Sequence, residues 1–127
     1  MKKLALLTFL LVSGDCFAAL DCDKVISTPE INECASLEFE KVDKELNAAY
    51  KEVMSSLSDD DPYLAQRYAD TKESLVAAQR LWIKFREEDC NAVFNYFRDG
   101  TISTAMQLSC MTEHTKLRTQ QLKSFIQ

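Results

Sequence analysis

Apolar residues return at helical spacing along three separate stretches of the chain, and little interrupts them. Phe39, Val42, Leu46, Tyr50, Val53 and Leu57 step by three and four, which lays one apolar stripe along an α-helix. A second stretch, residues 63–98, carries Leu75, Ala78, Trp82 and Phe85, and Ile83, Cys90, Val93, Phe94 and Phe97 widen that stripe until it could face two partner helices at once. On this pattern the segment from Ala78 to Cys90, which holds the only tryptophan, belongs to a central helix. The third stretch places Leu108, Met111, Thr115, Arg118, Leu122 and Phe125 on one stripe. The expected fold is all-α, an antiparallel bundle of three long helices with short turns.

Breakers mark where these helices begin and end. Thr28-Pro29-Glu30 opens helix one, with Thr28 as N-cap and Pro29 in the first turn, or with Ser27 and Glu30 forming a capping box instead. Ser58-Asp59-Asp60-Asp61-Pro62 ends it and starts helix two, because Asp caps helices and Pro is at home in a first turn. Asp70-Thr71 leaves open whether helix two is continuous or split. Asp99-Gly100 closes it, with Gly100 expected in the left-handed conformation, and Thr101 or Ser103 is expected to cap helix three. Only two Gly and two Pro occur in 127 residues, so long helices are the natural outcome.

The first eighteen residues change the picture from a helical chain to an exported one. Lys2-Lys3 precedes the apolar run Leu4 to Val12 and then a small or polar segment ending at Ala18, the layout of a signal peptide covering 1–18. The run is too short for a membrane span of about 20 residues. Asp15 and Ser13 stand where a lipid-attachment site before Cys16 would want a small residue and Leu, so no membrane anchor is expected. The remaining 19–127 is one domain's worth, periplasmic or secreted.

Cleavage removes Cys16 and leaves Cys22, Cys34, Cys90 and Cys110, an even count that reads as two disulfides in an exported chain. Cys90 and Cys110 each lie ten residues from Gly100, so they are level across a helical hairpin and within reach of each other. That pairing leaves Cys22 with Cys34; the rival joins Cys34 to Cys90. Losing residues 1–18 takes two lysines and one aspartate from 15 basic and 20 acidic residues, leaving a net charge of −6. Such acidity argues against nucleic acid as a partner and suits plain solubility or a basic partner.

Candidate chemistry is sparse. The chain has one histidine, His114, no glycine-rich phosphate loop and no paired metal-ligand spacing, so no catalytic residue, metal or cofactor is expected. His114 reads as a solvated or capping side chain. Glu87-Glu88-Asp89 are adjacent and cannot flank one bond. More informative are polar residues in apolar seams: Thr115 and Arg118 in helix three, Asp43 and Asn47 beside the helix-one stripe, and Gln79 and Arg86 on the face of Trp82. An arginine in a seam needs a carboxylate, for which Asp43 and Asp89 are the candidates, and the set reads as a buried network fixing helix register.

The pattern Asn32-Glu33-Cys34, Asp43, Leu46-Asn47, Tyr50, then Ala78-Gln79-Arg80, Trp82-Ile83, Phe85-Arg86, Cys90, then Gly100-Thr101-Ile102, Cys110, Thr115, Arg118 and Leu122 resembles the LprI-type lysozyme-inhibitor N-terminal domain family. The resemblance covers nearly all of the chain after the leader. It implies a small, helical, disulfide-bonded envelope protein. Its namesake is a mycobacterial lipoprotein credited with inhibiting lysozyme. The function expected on that basis is inhibition of a lysozyme-like peptidoglycan hydrolase through its cleft. Arg98, Asp99, Thr101 and Ser103 of the second turn are candidate contacts, and Asp59, Asp60 and Asp61 of the first turn an alternative site. The competing expectations are a non-enzymatic adaptor of the periplasm and an immunity protein against a wall-degrading toxin.

Overall fold

The computed structural model describes residues 20–125, so the leader read at 1–18 lies outside the described residues. Three helices follow one another, α1 (Thr28–Ser56), α2 (Pro62–Tyr96) and α3 (Ser103–Phe125), with no strand among the described residues. Two disulfides join Cys22 to Cys34 and Cys90 to Cys110, with Cα atoms 5.7 and 5.6 Å apart. Both are the pairings preferred from the sequence, and the Cys34–Cys90 rival is not formed.

Local chemistry sets the helix boundaries. Ser27, not Thr28, is the N-cap of α1: its hydroxyl accepts from the Glu30 N–H at 3.4 Å, and the Glu30 carboxylate accepts from the Ser27 N–H at 3.3 Å. The reciprocal pair satisfies two otherwise orphaned donors, and Thr28 and Pro29 become the first helical residues. Asp61 caps α2, its carboxylate accepting from the N–H groups of Tyr63 and Leu64 at 2.9 and 3.0 Å. From there α2 runs 35 residues without a break. At the possible split, Thr71 donates to the Arg67 carbonyl at 2.8 Å and Gln66 to Asp70 at 2.9 Å. Both polar side chains are thereby used within the continuing helix.

The turn from Phe97 to Ile102 differs from its expected form. The Phe97 N–H is shared between the Val93 and Phe94 carbonyls, and the Gly100 N–H donates to the Phe97 carbonyl at 3.0 Å. No described glycine has a positive φ, so Gly100 does not provide the left-handed stop; the chain leaves α2 through successive short turns. Ile102 immediately precedes α3 and its carbonyl receives the Met106 N–H at 3.0 Å. Neither Thr101 nor Ser103 takes the capping position.

The central helix is α3, not α2. It packs along both of the others, whereas the α1 and α2 backbones scarcely touch. The reason lies in side-chain size. The buried positions of α3 are Thr112, Thr115, Thr119 and Leu122, and short threonines let two helices approach. Their hydroxyls need no outside partner to be buried: Thr115 donates to the Met111 carbonyl at 2.6 Å and Thr119 to that of Thr115 at 2.8 Å. On α2 only Gln79, Arg86 and Cys90 are buried; its backbone packs on α3, and it reaches the α1 side of the core only through side chains such as Tyr68, Leu75 and Trp82. On α3, Phe125 is exposed and Arg118 is half-buried, which shifts the buried seam away from the stripe expected there.

Cross-helix pairs define three layers along the bundle. Asn91–Gln107, Asp89–His114, Arg86–Thr115 and Gln79–Arg118 run in opposite order along α2 and α3. At one end Leu46, Ala49, Val53, Leu57 and Leu122 form the apolar core, with Tyr50, Tyr68, Leu75 and Trp82 packed against it. The middle is polar. The other end, which carries the Phe97–Ile102 turn, holds the Cys90–Cys110 bridge.

Candidate functional site

The polar middle layer is centred on Arg86. Its position on α2 points it at the place where α1 and α3 meet, and it is 7% exposed. Nη1 donates to Asp43 at 3.0 Å and to the Thr115 hydroxyl at 2.8 Å, so one guanidinium nitrogen ties all three helices. The guanidinium carbon lies 5.2 Å from the Phe39 ring centroid and 4.9 Å from that of Trp82. Its Nε is buried without a hydrogen-bond partner. The two ring faces offset part of that cost, because an aromatic quadrupole attracts a desolvated cation. Phe39 had been placed only in an apolar stripe; its spacing of four from Asp43 is the signal that puts it beside the arginine.

Arg118 occupies the next layer, and its partners differ from those expected. Its Nε donates to Gln79 at 3.0 Å and Nη1 to Gln121 at 3.3 Å. Neither Asp43 nor Asp89 reaches it, because Asp43 is taken by Arg86 and Asp89 by His114. Burial holds the Arg118 guanidinium below its ordinary range, partly opposed by Tyr50. Asn47 is exposed and serves the layer only through Asp43, to which it donates at 3.2 Å.

His114 is neither solvated nor a cap. Its Nε2 lies 2.7 Å from an Asp89 carboxylate oxygen, and its ring meets the edge of Phe85 at 5.5 Å between centroids. Two residues on, Lys116 sits 3.3 Å from Glu38 and 3.4 Å from Glu113. The Glu38 hydrogen bond, with Glu113 behind it, holds the Lys116 ammonium above its usual range. Between these pairs runs a shallow groove of ≈ 500 Å³ lined by Cys110, Glu113, His114, Lys116, Leu117 and Gln120. Donor atoms of Cys90, Cys110 and His114 come within 4.8 Å of one another. The two sulfurs are bonded to each other, so neither is a thiolate available to a metal.

The remaining candidates lie in the two turns. Arg98, Asp99 and Thr101 are exposed and Ser103 is half-buried at the start of α3. At the opposite end a second shallow depression of ≈ 390 Å³ is lined by Ser58, Asp59 and Asp60. Asp61 is committed to the α2 cap, and Asp59 accepts from the Asp61 N–H at 2.9 Å. Asp60 is the one of the three whose side chain has no such local partner among the described residues. Taken together, these side chains join the helices in the middle of the bundle and present charge at its ends and along the α2–α3 face.

An uncharacterized protein of Rhizobium meliloti is 32% identical over 110 residues, covering 84% of this chain and 79% of the relative. The uncharacterized protein YecT of Escherichia coli is 30% identical over 101 residues, covering 75% of this chain and 62% of YecT. No solved structure matches the chain. The family described as "Lysozyme inhibitor LprI" matches residues 22–122, a span that opens on the first bridged cysteine and closes on the core leucine of α3. With its two bridges, its three helices and that match, the chain belongs to the LprI lysozyme inhibitor family.

Proposed function

We propose that the protein is exported by cleavage of its leader near Ala18 and acts in the periplasm or outside the cell as an inhibitor of a lysozyme-like peptidoglycan hydrolase. The observation that carries this reading is the family match over residues 22–122. Two physical features support it. The chain after the leader has a net charge of −6, which would steer it toward a strongly basic enzyme. A body braced by two disulfides loses little conformational freedom on binding, which lowers the cost of association. In mechanism, the Phe97–Ile102 turn enters the cleft, Arg98 approaches the carboxylates on which glycosidases depend, and Asp99, Thr101 and Ser103 supply hydrogen bonds. The acidic turn at Asp59, Asp60 and Asp61 is the alternative point of contact with a basic rim.

The test is a titration of the oxidised protein lacking residues 1–18 into animal-type and bacterial-type lysozymes, following lysis of cell-wall substrate at low and moderate salt. Dose-dependent inhibition that weakens as salt screens the charges, and that falls in Arg98→Ala, is the expected result. A folded protein that inhibits no lysozyme at any salt refutes the reading and favours an envelope adaptor.

A further inference from the structure

The apolar residues of α2 pack on α3 and, through Tyr68, Leu75 and Trp82, on the α1 side of the core, and they leave one side of the helix uncovered. Ala78, Leu81, Phe85, Ala92 and Tyr96 fall within one side of the helix by their spacing, and all five are exposed. Leu81 is 68% exposed, Phe85 56% and Tyr96 83%. The stripe is continuous with α3 through the Phe85–His114 contact, beyond which Leu117, 54% exposed, lines the α3 groove. An unpartnered apolar face of this extent on a small domain marks an interaction surface.

Charge selects the occupant. Glu88 and Asp89 stand one turn from Phe85, and Glu113 lines the groove. The neighbouring cations are Arg80, Lys84 and Lys116; Lys116 is engaged by Glu38 and Glu113 and Asp89 by His114, which leaves Glu88 as the unengaged carboxylate beside Phe85. An aromatic centre on a chain whose net charge after the leader is −6 fits a basic protein surface. Two copies of this chain would each bring a net charge of −6 to the contact, which disfavours self-association. From Leu81 to Tyr96 the stripe covers about 22 Å at 1.5 Å per residue, and it ends two residues before Arg98.

We propose that this outer face of α2, with Leu117 of α3, is the surface that grips a basic wall hydrolase. The inference rests on the inhibitor reading and adds where the enzyme is held. Phe85 and Leu81 anchor the contact, the carboxylates pair with the enzyme's basic rim, and the adjoining turn is carried into the cleft.

The experiment measures the affinity and inhibition of a basic animal-type lysozyme by the oxidised protein and by Leu81→Lys, Phe85→Ser and Leu37→Ser. Leu37 is an exposed leucine of α1 and serves as the control. Leu81→Lys places a cation on a solvent-facing position and leaves the core intact, so it reports on the face even if Phe85→Ser loosens the His114 contact. Circular dichroism and non-reducing electrophoresis establish that each variant is folded and bridged. The expected result is binding weakened about 30-fold in Leu81→Lys and Phe85→Ser, the loss of an interface anchor, with Leu37→Ser unchanged. Wild-type binding retained by both face variants overturns the inference and leaves the inhibitor reading standing. A wild type that binds no lysozyme overturns the reading and the inference together. Light scattering that finds a wild-type dimer dissociated by Leu81→Lys also overturns the inference, because the face would then be self-complementary.

Discussion

Replacing Asp43 by alanine removes the one carboxylate that neutralises Arg86. Arg86 is 7% exposed, so its guanidinium cannot turn to water. Breaking a buried ion pair by deleting one partner costs about 3–5 kcal/mol. Here the lower end applies, because the Asp43 side chain is 35% exposed and water screens part of the attraction. Thr115 and the two ring faces also remain in place after the change. A loss of about 2–3 kcal/mol follows. In urea, with a slope of about 1.3 kcal/mol per molar, the midpoint falls by about 2 M.

The assay is equilibrium urea unfolding of the oxidised protein, read by helical ellipticity. A second variant separates charge from packing: Arg86→Met combined with Asp43→Leu removes both charges and returns stability to within about 1 kcal/mol of wild type. The exposed pair between Lys24 and Asp21 supplies the reference, since an exposed ion pair contributes about 0–1 kcal/mol. An Asp43→Ala protein no less stable than Asp21→Ala would refute the reasoning. It would mean that the aromatic faces and Thr115 alone carry the buried cation.

Further outcomes follow from the boundaries and bridges. Asp61→Ala strips the acceptor from two N–H groups at the start of α2 and is expected to cost about 1 kcal/mol in thermal or urea unfolding. Gly100→Ala is expected to leave the melting temperature unchanged or raise it, by up to about 1 kcal/mol of stability. Its φ is not positive, and the nearest atom to an added Cβ is the Phe97 carbonyl oxygen at 3.5 Å. Hydrogen bonds from Ser27 hold the Glu30 carboxyl below its ordinary value of 4.5. A depressed folded value stabilises the fold above pH 4.5 and loses that contribution as pH falls through it. Glu30→Gln is therefore less stable than wild type at neutral pH, and the two converge on acidification. Replacing Cys90 and Cys110 together by alanine opens a link across 20 residues and costs about 3 kcal/mol, measurable as a loss of urea midpoint under non-reducing conditions.

Helix number, the caps at Ser27 and Asp61 and the bridges were legible because each rests on short-range chemistry, whereas the Gly100 stop and the cap of α3 were misread. Three stripes needed only periodicity, Asp61-Pro62 only capping, and Cys90 with Cys110 only the level positions across a turn. Which helix lies in the middle was not legible. Apolar width pointed to α2, yet the interior position went to α3, whose threonines permit close approach and carry their own hydrogen-bond acceptors one turn back. Hydrophobic periodicity weighs transfer from water and is blind to that geometric advantage. The same blindness misplaced the partners of Arg118. Sequence could say that an arginine in a seam needs an acceptor, but Gln79 reaches it because α2 and α3 cross with that register, while Gln121 stands three residues on along α3 itself. The width of the α2 stripe was visible from the start, though without Leu81, and only the packing shows that the described residues leave Leu81 and Phe85 exposed.

The layering of the bundle has a consequence for how a binding end can be built on so small a domain. The apolar core is confined to the end where Leu57 and Leu122 meet, and it cannot also hold the far end in place. There the Cys90–Cys110 bridge takes over, with Cys22–Cys34 tying the start of α1. A disulfide acts chiefly by limiting the unfolded chain and needs no large apolar side chains around it. Residues near the Phe97–Ile102 turn are thereby released from core duty. Tyr96 and Phe85 face water and Arg98 projects from the turn, an arrangement that apolar packing alone would not sustain. The covalent end is where side chains can be spent on a partner, and the apolar end is where the fold is held.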